Sequence, residues 1–473
     1  MAGGLWGVVR RHPRAWLAGA ATLAFVLLGG SAFAVGASVG GAGGETLPGA
    51  VPVTSTATVA PEPTSTQRPQ PQVAPVGGPV RTCSVAEEVS DGRLGTFLGQ
   101  VRDAATGEVL LDRSGTTPAR TASVMKVLTS AAALAVLGPD HRVATTVVKG
   151  STPGQIVLVG GGDITLASGS SNIYTDSASM LDLAAQVKQA WSADPTTSGT
   201  PITSIVLDAS VFSGDRWQPS WNRKEQRDGY SSEVTGLQVD GDRAEPSANV
   251  SARSDDAVAR AGQAFADALG VSPALSEGVA PAGAAQLGQV LSAPVSTMIP
   301  DALLRSDNTE AEMLARLVAV ELGVGSDFAA LNVAIPQALA KYGLDTSGLT
   351  IADGSGLSDD NGVPPDFLTR LFVKIQNQEA DLSVIYHGLP VAGKTGTLSG
   401  RFGGSASVAV GHVIAKTGWI DTGYTLSGII EAADGTVLTF AFFALDDVGD
   451  SAKAALDSLT AAAYTCGGAL SNR

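Results

Sequence analysis

Strand-like sequence near the two ends of the chain limits the possible folds more than any other feature. Thr96–Asp103 and residues 108–112 flank an Ala-Ala-Thr-Gly turn and predict a β-hairpin. Three further strands and a closing helix are predicted towards the carboxyl end, at 408–416, 424–432, 436–445 and 451–464. We therefore expect an α+β fold with one antiparallel five-stranded sheet covered by helices. The chain between these two sets of strands would leave this domain and then return to it.

Between about residues 145 and 286 the pattern of predicted secondary structure changes. Short strand-like runs and helical stretches alternate there with clusters of Gly, Ser and Asp. A helical pattern resumes at 287–291. We therefore divide the folded chain into a first part at 81–144, an inserted α+β region at 145–286, and a second part at 287–473 that completes the domain begun by the first.

The first 44 residues have the pattern of an export signal or a membrane anchor. Three arginines, at 10, 11 and 14, precede a stretch without charges whose apolar core runs from 17 to 35. A Ser-Ala-Phe-Ala segment at 31–34 resembles a cleavage site, yet the apolar run is also long enough to span a bilayer. The chain is therefore expected to be exported, either secreted or anchored to the outer side of the cytoplasmic membrane.

The segment that follows, at 45–80, is dominated by Pro, Thr, Val, Gly, Gln and Ser. It cannot bury enough apolar surface to offset the entropy of ordering, so it predicts an extended linker. The only two cysteines, Cys83 and Cys466, bracket the region beyond it. In an exported chain this placement favours a disulfide that joins the ends of the folded region, with two free thiols as the alternative. Two cysteines are too few to form a metal site.

Ser123 and Lys126 stand three residues apart at the start of a predicted helix that ends near Gly138 and Pro139. This spacing puts both side chains on one helix face about one turn apart, so the amine can reach the hydroxyl. A serine becomes a good nucleophile when a neighbouring base takes its proton, and burial or the helix dipole can lower a lysine pKa enough to keep that base neutral. Taken alone, Ser-x-x-Lys also occurs by chance on exposed helix starts.

Two further motifs follow in chain order, Ser306-Asp307-Asn308 and a Lys-Thr-Gly. This ordered set is typical of penicillin-binding proteins and class A β-lactamases. At roughly 81–464 the sequence resembles the D-alanyl-D-alanine carboxypeptidase/endopeptidase family of low-molecular-mass, class C penicillin-binding proteins, and segments 160–166, 216–221 and 353–358 look like further family signatures. The resemblance implies a penicillin-binding-protein/β-lactamase-like transpeptidase fold with a large insertion between the first and second motifs.

Lys-Thr-Gly occurs twice, at Lys394-Thr395-Gly396 and at Lys416-Thr417-Gly418. The chemistry needs this motif on an edge strand beside the nucleophile. Loop-like sequence follows the first copy, whereas the second copy ends the strand-like run at 408–416 and leads into the next strand. We therefore assign the motif to the second copy.

The resemblance implies a role for each residue of the first two motifs. Ser123 would be the nucleophile that forms an acyl-enzyme, and Lys126 would be its general base. Ser306 and Asn308 would relay a proton and fix the substrate amide.

The substrate-binding residues implied by the resemblance lie mainly in the third motif. Lys416 and Thr417, with Gly418 and Trp419 in the same strand, would hold the terminal carboxylate of the substrate. The backbone N–H of Trp419 would join that of the nucleophile in an oxyanion hole. The family usually has Thr or Ser where Trp419 stands, so a side-chain hydroxyl contact is lost here. Asp163 is a further candidate, for contacting a cationic group of the stem peptide.

The activity implied is that of a serine-type D-Ala-D-Ala carboxypeptidase, with endopeptidase activity as a second expectation. Its partners would be peptidoglycan stem peptides and, as covalent inhibitors, β-lactam antibiotics. No cofactor or metal is expected, since the histidines at 141, 387 and 412 lack ligand spacing and are interpreted as structural. The net charge of −15 argues against a nucleic-acid partner.

Three alternatives use parts of the same pattern. A β-lactamase would share the acylation chemistry, but its Ser-Asp-Asn follows the nucleophile within a few dozen residues, and here 183 residues separate Ser123 from Ser306. An esterase of related fold would have no reason for a carboxylate site at Lys416. A catalytically silent wall-binding protein would not need nucleophile, base and relay together.

Overall fold

The structure is a computed structural model and describes residues 81–472. The predicted signal or anchor at 1–44 and the predicted linker at 45–80 lie outside the described residues. Within 81–472, no helix combines the length and the apolar character needed to cross a membrane. The strands of this part are β1 (Thr96–Asp103), β2 (Val109–Arg113), β3 (Ala144–Lys149), β4 (Gln155–Gly160), β5 (Ser204–Asp208), β6 (Ala274–Glu277), β7 (Gln286–Leu291), β8 (Val413–Ile420), β9 (Gly423–Glu431) and β10 (Val437–Leu445).

The α-helices alternate with these strands and with short 3₁₀ turns. Helices from 125–136, 295–339 and 365–388 share one hydrophobic cluster, which packs on one face of the first sheet. In chain order the helices are α1 (Ala86–Val89), α2 (Met125–Val136), α3 (Met180–Ala193), α4 (Lys224–Asp228), α5 (Ala257–Leu269), α6 (Val295–Arg305), α7 (Asn308–Glu321), α8 (Leu331–Leu339), α9 (Pro365–Gln376), α10 (Ser383–Gly388) and α11 (Ser451–Cys466).

The two ends of the described chain form one antiparallel sheet in the order β2-β1-β10-β9-β8. The hairpin β1–β2 joins strands from the carboxyl end through β1 and β10, whose register runs from Thr96 opposite Leu445 to Asp103 opposite Leu438. The predicted five-stranded antiparallel sheet is therefore confirmed. One of its two edge strands is β8, which carries the second Lys-Thr-Gly.

Strand β10 lies in the middle of this sheet, and its sequence is apolar at nearly every position. Ala441 and Phe443 belong to a cluster with α2, α7 and α9 on one face, whereas Phe440 and Phe442 belong to a cluster with α11 on the other. Successive residues of a strand point to opposite faces, so a strand covered on both sides needs apolar residues throughout. This burial fixes β10, and through it the positions of β9 and β8.

A second sheet, in the order β6-β5-β4-β3-β7, is built from residues between Ala144 and Leu291. Helices α3 and α5 pack their apolar sides into its core. The expected helical pattern at 287–291 is wrong, because these residues form β7, in which Val290 pairs with Thr145 of β3. A run this short has no period that separates strand from helix, and the distant partner strand decides between them.

The predicted strand at 408–416 is wrong over its first half. Gly404–Ala409 forms a 3₁₀ turn in which Val408 is 56% exposed, and Gly411 has a φ of 83° that interrupts an extended chain. Strand β8 begins at Val413 instead. The Lys-Thr-Gly at 416–418 therefore lies in the middle of the edge strand and not at its end.

Cys83 and Cys466 form a disulfide with their Cα atoms 5.4 Å apart. The disulfide is thus confirmed against two free thiols. Backbone hydrogen bonds reinforce the link, since the N–H of Cys83 donates to Ala469 O and the N–H of Ser471 donates to Cys83 O. The two ends of the described chain are thereby held together beside α11.

Replacing both cysteines by alanine should lower the free energy of unfolding by about 2–4 kcal/mol, because the cross-link that restricts the unfolded chain is lost. Urea unfolding of the oxidised wild type and of Cys83→Ala/Cys466→Ala measures the difference. Dithiothreitol should lower the free energy of unfolding of the wild type and leave that of the double variant unchanged. Equal midpoints for oxidised and reduced wild type would contradict this.

Candidate active site

The three motifs meet in one cleft of about 550 Å³. Ser123 lies in the 3₁₀ turn Ala122–Val124 that leads into α2, directly before the helix in which the sequence had placed it. Ser306 and Asn308 lie where α6 passes into α7, and Thr417 comes from β8. All four residues line the cleft.

Lys126 is fully buried beneath the cleft and contacts three different segments of the chain. Its Nζ lies 2.8 Å from Ser123 Oγ, 2.6 Å from Asn308 Oδ1 and 2.8 Å from the backbone oxygen of Ser355. Burial lowers the pKa of Lys126 to about 8, although the carboxyl groups of Asp353 and others nearby act in the opposite direction. The neutral form of this amine is therefore far more populated near neutral pH than for an exposed lysine, at roughly one tenth of the molecules at pH 7.

The loop at 353–358 positions the carbonyl that Lys126 contacts. Glu312 of α7 accepts hydrogen bonds from two backbone N–H groups of this loop, at 2.9 and 2.6 Å. Asp353 accepts another from the indole of Trp221, at 2.8 Å. Gly356 has a φ of 87°, and a Cβ there would collide with the backbone oxygen of Ala122. The signature segments at 216–221 and 353–358 thus pack together and position the carbonyl that Lys126 contacts.

A buried ion pair beneath the cleft fixes the position of Ser306-Asp307-Asn308. Arg243 Nη2 donates to Asp307 Oδ2 at 2.6 Å, and both side chains are 1% exposed. Burial alone would raise the pKa of Asp307, but the guanidinium groups of Arg243 and Arg253 hold it well below its usual range. Tyr174 donates a further hydrogen bond to the same carboxylate at 3.1 Å. No local pattern in the sequence could have pointed to Arg243 or Tyr174.

Lys416 is also fully buried, and its amine donates to Ser306 Oγ at 2.9 Å and to the backbone oxygen of Thr417 at 2.9 Å. Burial, together with repulsion from Lys126, lowers the pKa of Lys416 well below its usual value. Lys394 of the first Lys-Thr-Gly is exposed and does not line the cleft. The geometry therefore favours the second copy.

Comparison with known proteins identifies the family of this chain. The model of the D-Ala-D-Ala carboxypeptidase 3 (S13) family matches residues 82–253 and 244–463. The chain belongs to this family. Carboxypeptidase DacB of Mycolicibacterium smegmatis is 34% identical over 394 residues, which cover 81% of this chain and 84% of that protein. The D-alanyl-D-alanine carboxypeptidase of Actinomadura sp. is 30% identical over 413 residues, covering 71% and 75%. The predicted family and enzyme class are therefore confirmed.

A solved structure agrees in fold. Penicillin-binding protein 4 of Haemophilus influenzae superposes with a TM-score of 0.66 at 22% sequence identity, covering 80% of this chain and 97% of that one. The predicted penicillin-binding-protein/β-lactamase-like fold is confirmed.

As in any edge strand, alternate residues of β8 present their backbone groups to the open side. Ala415 does so, because its N–H donates to Pro390 O at 2.9 Å, away from β9. Thr417 and Trp419 share this parity, so the N–H of Trp419 faces the open edge. Gly418 lets the Ser123 turn approach, since a Cβ there would collide with Thr425 Oγ1 and the backbone oxygen of Thr121.

Of the substrate-binding residues predicted from the sequence, Trp419 lies in the cleft and Asp163 does not. Trp419 lines the cleft, is 45% exposed, and stands edge-on to Tyr230 with ring centroids 6.3 Å apart. Asp163 is buried and does not line the cleft; its carboxylate accepts from the N–H and the hydroxyl of Thr165 at 2.8 and 2.6 Å. The expectation that Asp163 contacts the substrate therefore has no support from the geometry. Among residues 81–472, no cluster of His, Cys, Asp or Glu could hold a metal ion.

Arg243→Met should lower the free energy of unfolding by about 3–5 kcal/mol, because the Asp307 carboxylate would remain buried without its partner. Urea unfolding measures this, and covalent labelling by a fluorescent penicillin should fall in parallel as the Ser306 turn loses its support. Arg216→Met is the matched control, since its ion pair with Glu277 is partly exposed and should contribute about 0–1 kcal/mol. Equal unfolding midpoints for the two variants would contradict the supporting role of the buried pair.

Proposed function

We propose that the chain removes the terminal D-alanine from peptidoglycan stem peptides through an acyl-enzyme on Ser123. The observation that carries this proposal is the set of three contacts made by the buried amine of Lys126. These contacts match what a neutral general base needs.

A neutral amine has two N–H groups and one lone pair, so it can donate twice and accept once. The backbone oxygen of Ser355 can only accept. Asn308 also presents its oxygen to the amine, because its Nδ2 donates to the backbone oxygen of Tyr230 at 3.1 Å. The two N–H groups are therefore used by these acceptors, and the lone pair is left for the hydroxyl proton of Ser123.

In the acylation step, Ser123 Oγ would attack the carbonyl carbon of the penultimate residue while its proton passes to Lys126. The oxygen that becomes negative would be stabilised by the backbone N–H groups of Ser123 and Trp419. The peptide C–N bond then breaks, and the proton taken up by Lys126 would reach the departing amine through the Ser306 hydroxyl, which gives its own proton and receives that one. Water would hydrolyse the ester, releasing the shortened peptide and restoring the serine hydroxyl.

Lys416 and Thr417 would bind the carboxylate of the terminal residue. A negative charge beside the buried Lys416 amine favours its protonated form. That positive charge would disfavour a proton on Lys126, because the charge on Lys126 lowers the pKa of Lys416 and repulsion between two charges is reciprocal. Binding of the substrate carboxylate would thus keep the base neutral when it is needed.

A β-lactam also carries a carboxylate near an acylable carbonyl, so we expect it to acylate the same serine. Penicillin-binding protein 4 of Haemophilus influenzae has been solved in complex with a β-lactam. Because the proposed substrate lies outside the cytoplasmic membrane, we propose that the chain is exported and that its apolar amino-terminal segment is either a cleaved signal or an anchor.

Wild type should be labelled covalently by a fluorescent penicillin and should release D-alanine from a peptide ending in D-Ala-D-Ala. Ser123→Ala should lose both activities, because no nucleophile remains. Lys394→Ala is the matched control and should retain them, since this lysine lies outside the cleft. Labelling of Ser123→Ala would reject the acyl-enzyme, and rapid multiple turnover of nitrocefin without a lasting adduct would favour a β-lactamase.

The rate constant of acylation by penicillin should rise with pH, since the neutral form of Lys126 is active and its pKa is about 8. Below that pKa the neutral fraction grows about tenfold per pH unit, and above it the rate should level off. Stopped-flow labelling between about pH 6 and pH 9 gives the profile, with the melting temperature recorded at each pH to confirm folding. A rate that is constant or falls with increasing pH in this range would reject Lys126 as the base.

A further inference from the structure

We propose that Thr397 is a second hydroxyl for the substrate carboxylate, acting beside Thr417. This inference rests on the proposed function and adds a substrate-binding residue to it. Thr397 follows the first Lys-Thr-Gly, the copy whose lysine lies outside the cleft.

Thr397 lines the cleft together with Ser123, Ser306 and Thr417. Its Oγ1 lies 2.7 Å from Thr417 Oγ1, which is hydrogen-bonding distance for two hydroxyls. Both side chains are accessible to a ligand that enters the cleft. The two hydroxyls therefore form one polar patch at the position where the terminal carboxylate is expected.

The turn that carries Thr397 is fixed to the open edge of β8. The N–H of Ala392 donates to Val413 O, and the N–H of Ala415 donates to Pro390 O, both at 2.9 Å. Leu398 is fully buried behind the turn. A Cβ at Gly396 would come within 2.9 Å of Leu304 O, so the turn also lies against the end of α6. Thr397 is thus positioned by rigid neighbours on both sides.

The residue after the second Lys-Thr-Gly explains why a further hydroxyl is needed. Trp419 stands there and offers an indole in place of a hydroxyl. The Lys416 amine already donates to Ser306 Oγ and to a backbone oxygen. Thr417 is the one hydroxyl-bearing residue of β8, so a second hydroxyl for the carboxylate has to come from another segment, and Thr397 supplies it.

The number of protons suits a carboxylate. Each hydroxyl has one proton, and in the free enzyme one of the two hydroxyls donates to the other. When a carboxylate arrives, both protons can turn towards it, one to each of its oxygens. A hydrogen bond to a charged acceptor is stronger than one between two hydroxyls, so the exchange is favourable.

Thr397→Val removes the hydroxyl and keeps the shape of the side chain. It should lower kcat/KM for a peptide ending in D-Ala-D-Ala by about 10- to 100-fold, the loss of one hydrogen bond to a charged group. The loss should appear mainly in KM, because the carboxylate is bound in both the ground state and the transition state. Thr397→Ser retains a hydroxyl and should stay within about threefold of wild type.

A substrate without a carboxylate separates binding from a structural effect. The ethanethiol ester of the same acyl peptide has a neutral leaving group, so wild type and Thr397→Val should turn it over within about threefold of each other. Ser399→Ala removes a hydroxyl from the same turn outside the cleft and should match wild type on both substrates. Melting temperatures of all variants confirm that they fold.

Two results would overturn this role for Thr397 alone. One is full activity of Thr397→Val on the D-Ala-D-Ala peptide, and the other is an equal loss on the peptide and the thioester. Failure of wild type to turn over either substrate or to react with fluorescent penicillin would instead reject the proposed function, and this role with it.

Discussion

The burial of one lysine amine is the constraint on which the rest of the cleft depends. Lys126 joins the Ser123 turn, the start of α7 and the loop at 353–358, and each of these contributes one contact to its Nζ. A charged amine in this position would lack solvation, and the protein lowers its pKa instead of supplying a paired carboxylate. The same desolvation that costs stability lowers the pKa on which the proposed role of Lys126 as a base depends.

The stability of the cleft comes from layers beneath it. The Arg243–Asp307 ion pair supports the second motif, Ser306-Asp307-Asn308. Arg243 lies between β5 and α5, outside the segments that form the first sheet. The ion pair holds Ser306 at a φ of 59°, a conformation that a non-glycine residue adopts at some cost. Glu312 and Asp353 do the same for the loop beside the base. The reactive groups are therefore placed by buried polar contacts whose partners lie far apart in sequence.

Patterns within short segments predicted much of this architecture. The hairpin, strands β9 and β10, helix α11, and the motifs around Ser123 and Ser306 are visible because alternation, turn residues and motif spacing are local properties. Strand β7 was predicted as helix because its pairing with β3 is a long-range contact. Arg243 and Thr397 were missed for the same reason, since nothing next to them in sequence shows that one meets Asp307 and the other Thr417.

The pairing of β1 with β10 sets the order in which activity can arise. Ser123 is made early during synthesis, but the strand that faces it, β8, is fixed only through β9 and β10, which lie close to the carboxyl end. Contacts between segments this far apart in sequence form slowly, and they cannot form before both segments have been synthesised. A nascent or carboxyl-terminally truncated chain therefore holds Ser123 without a cleft around it, and the cleft is complete only when the last strands have joined the sheet.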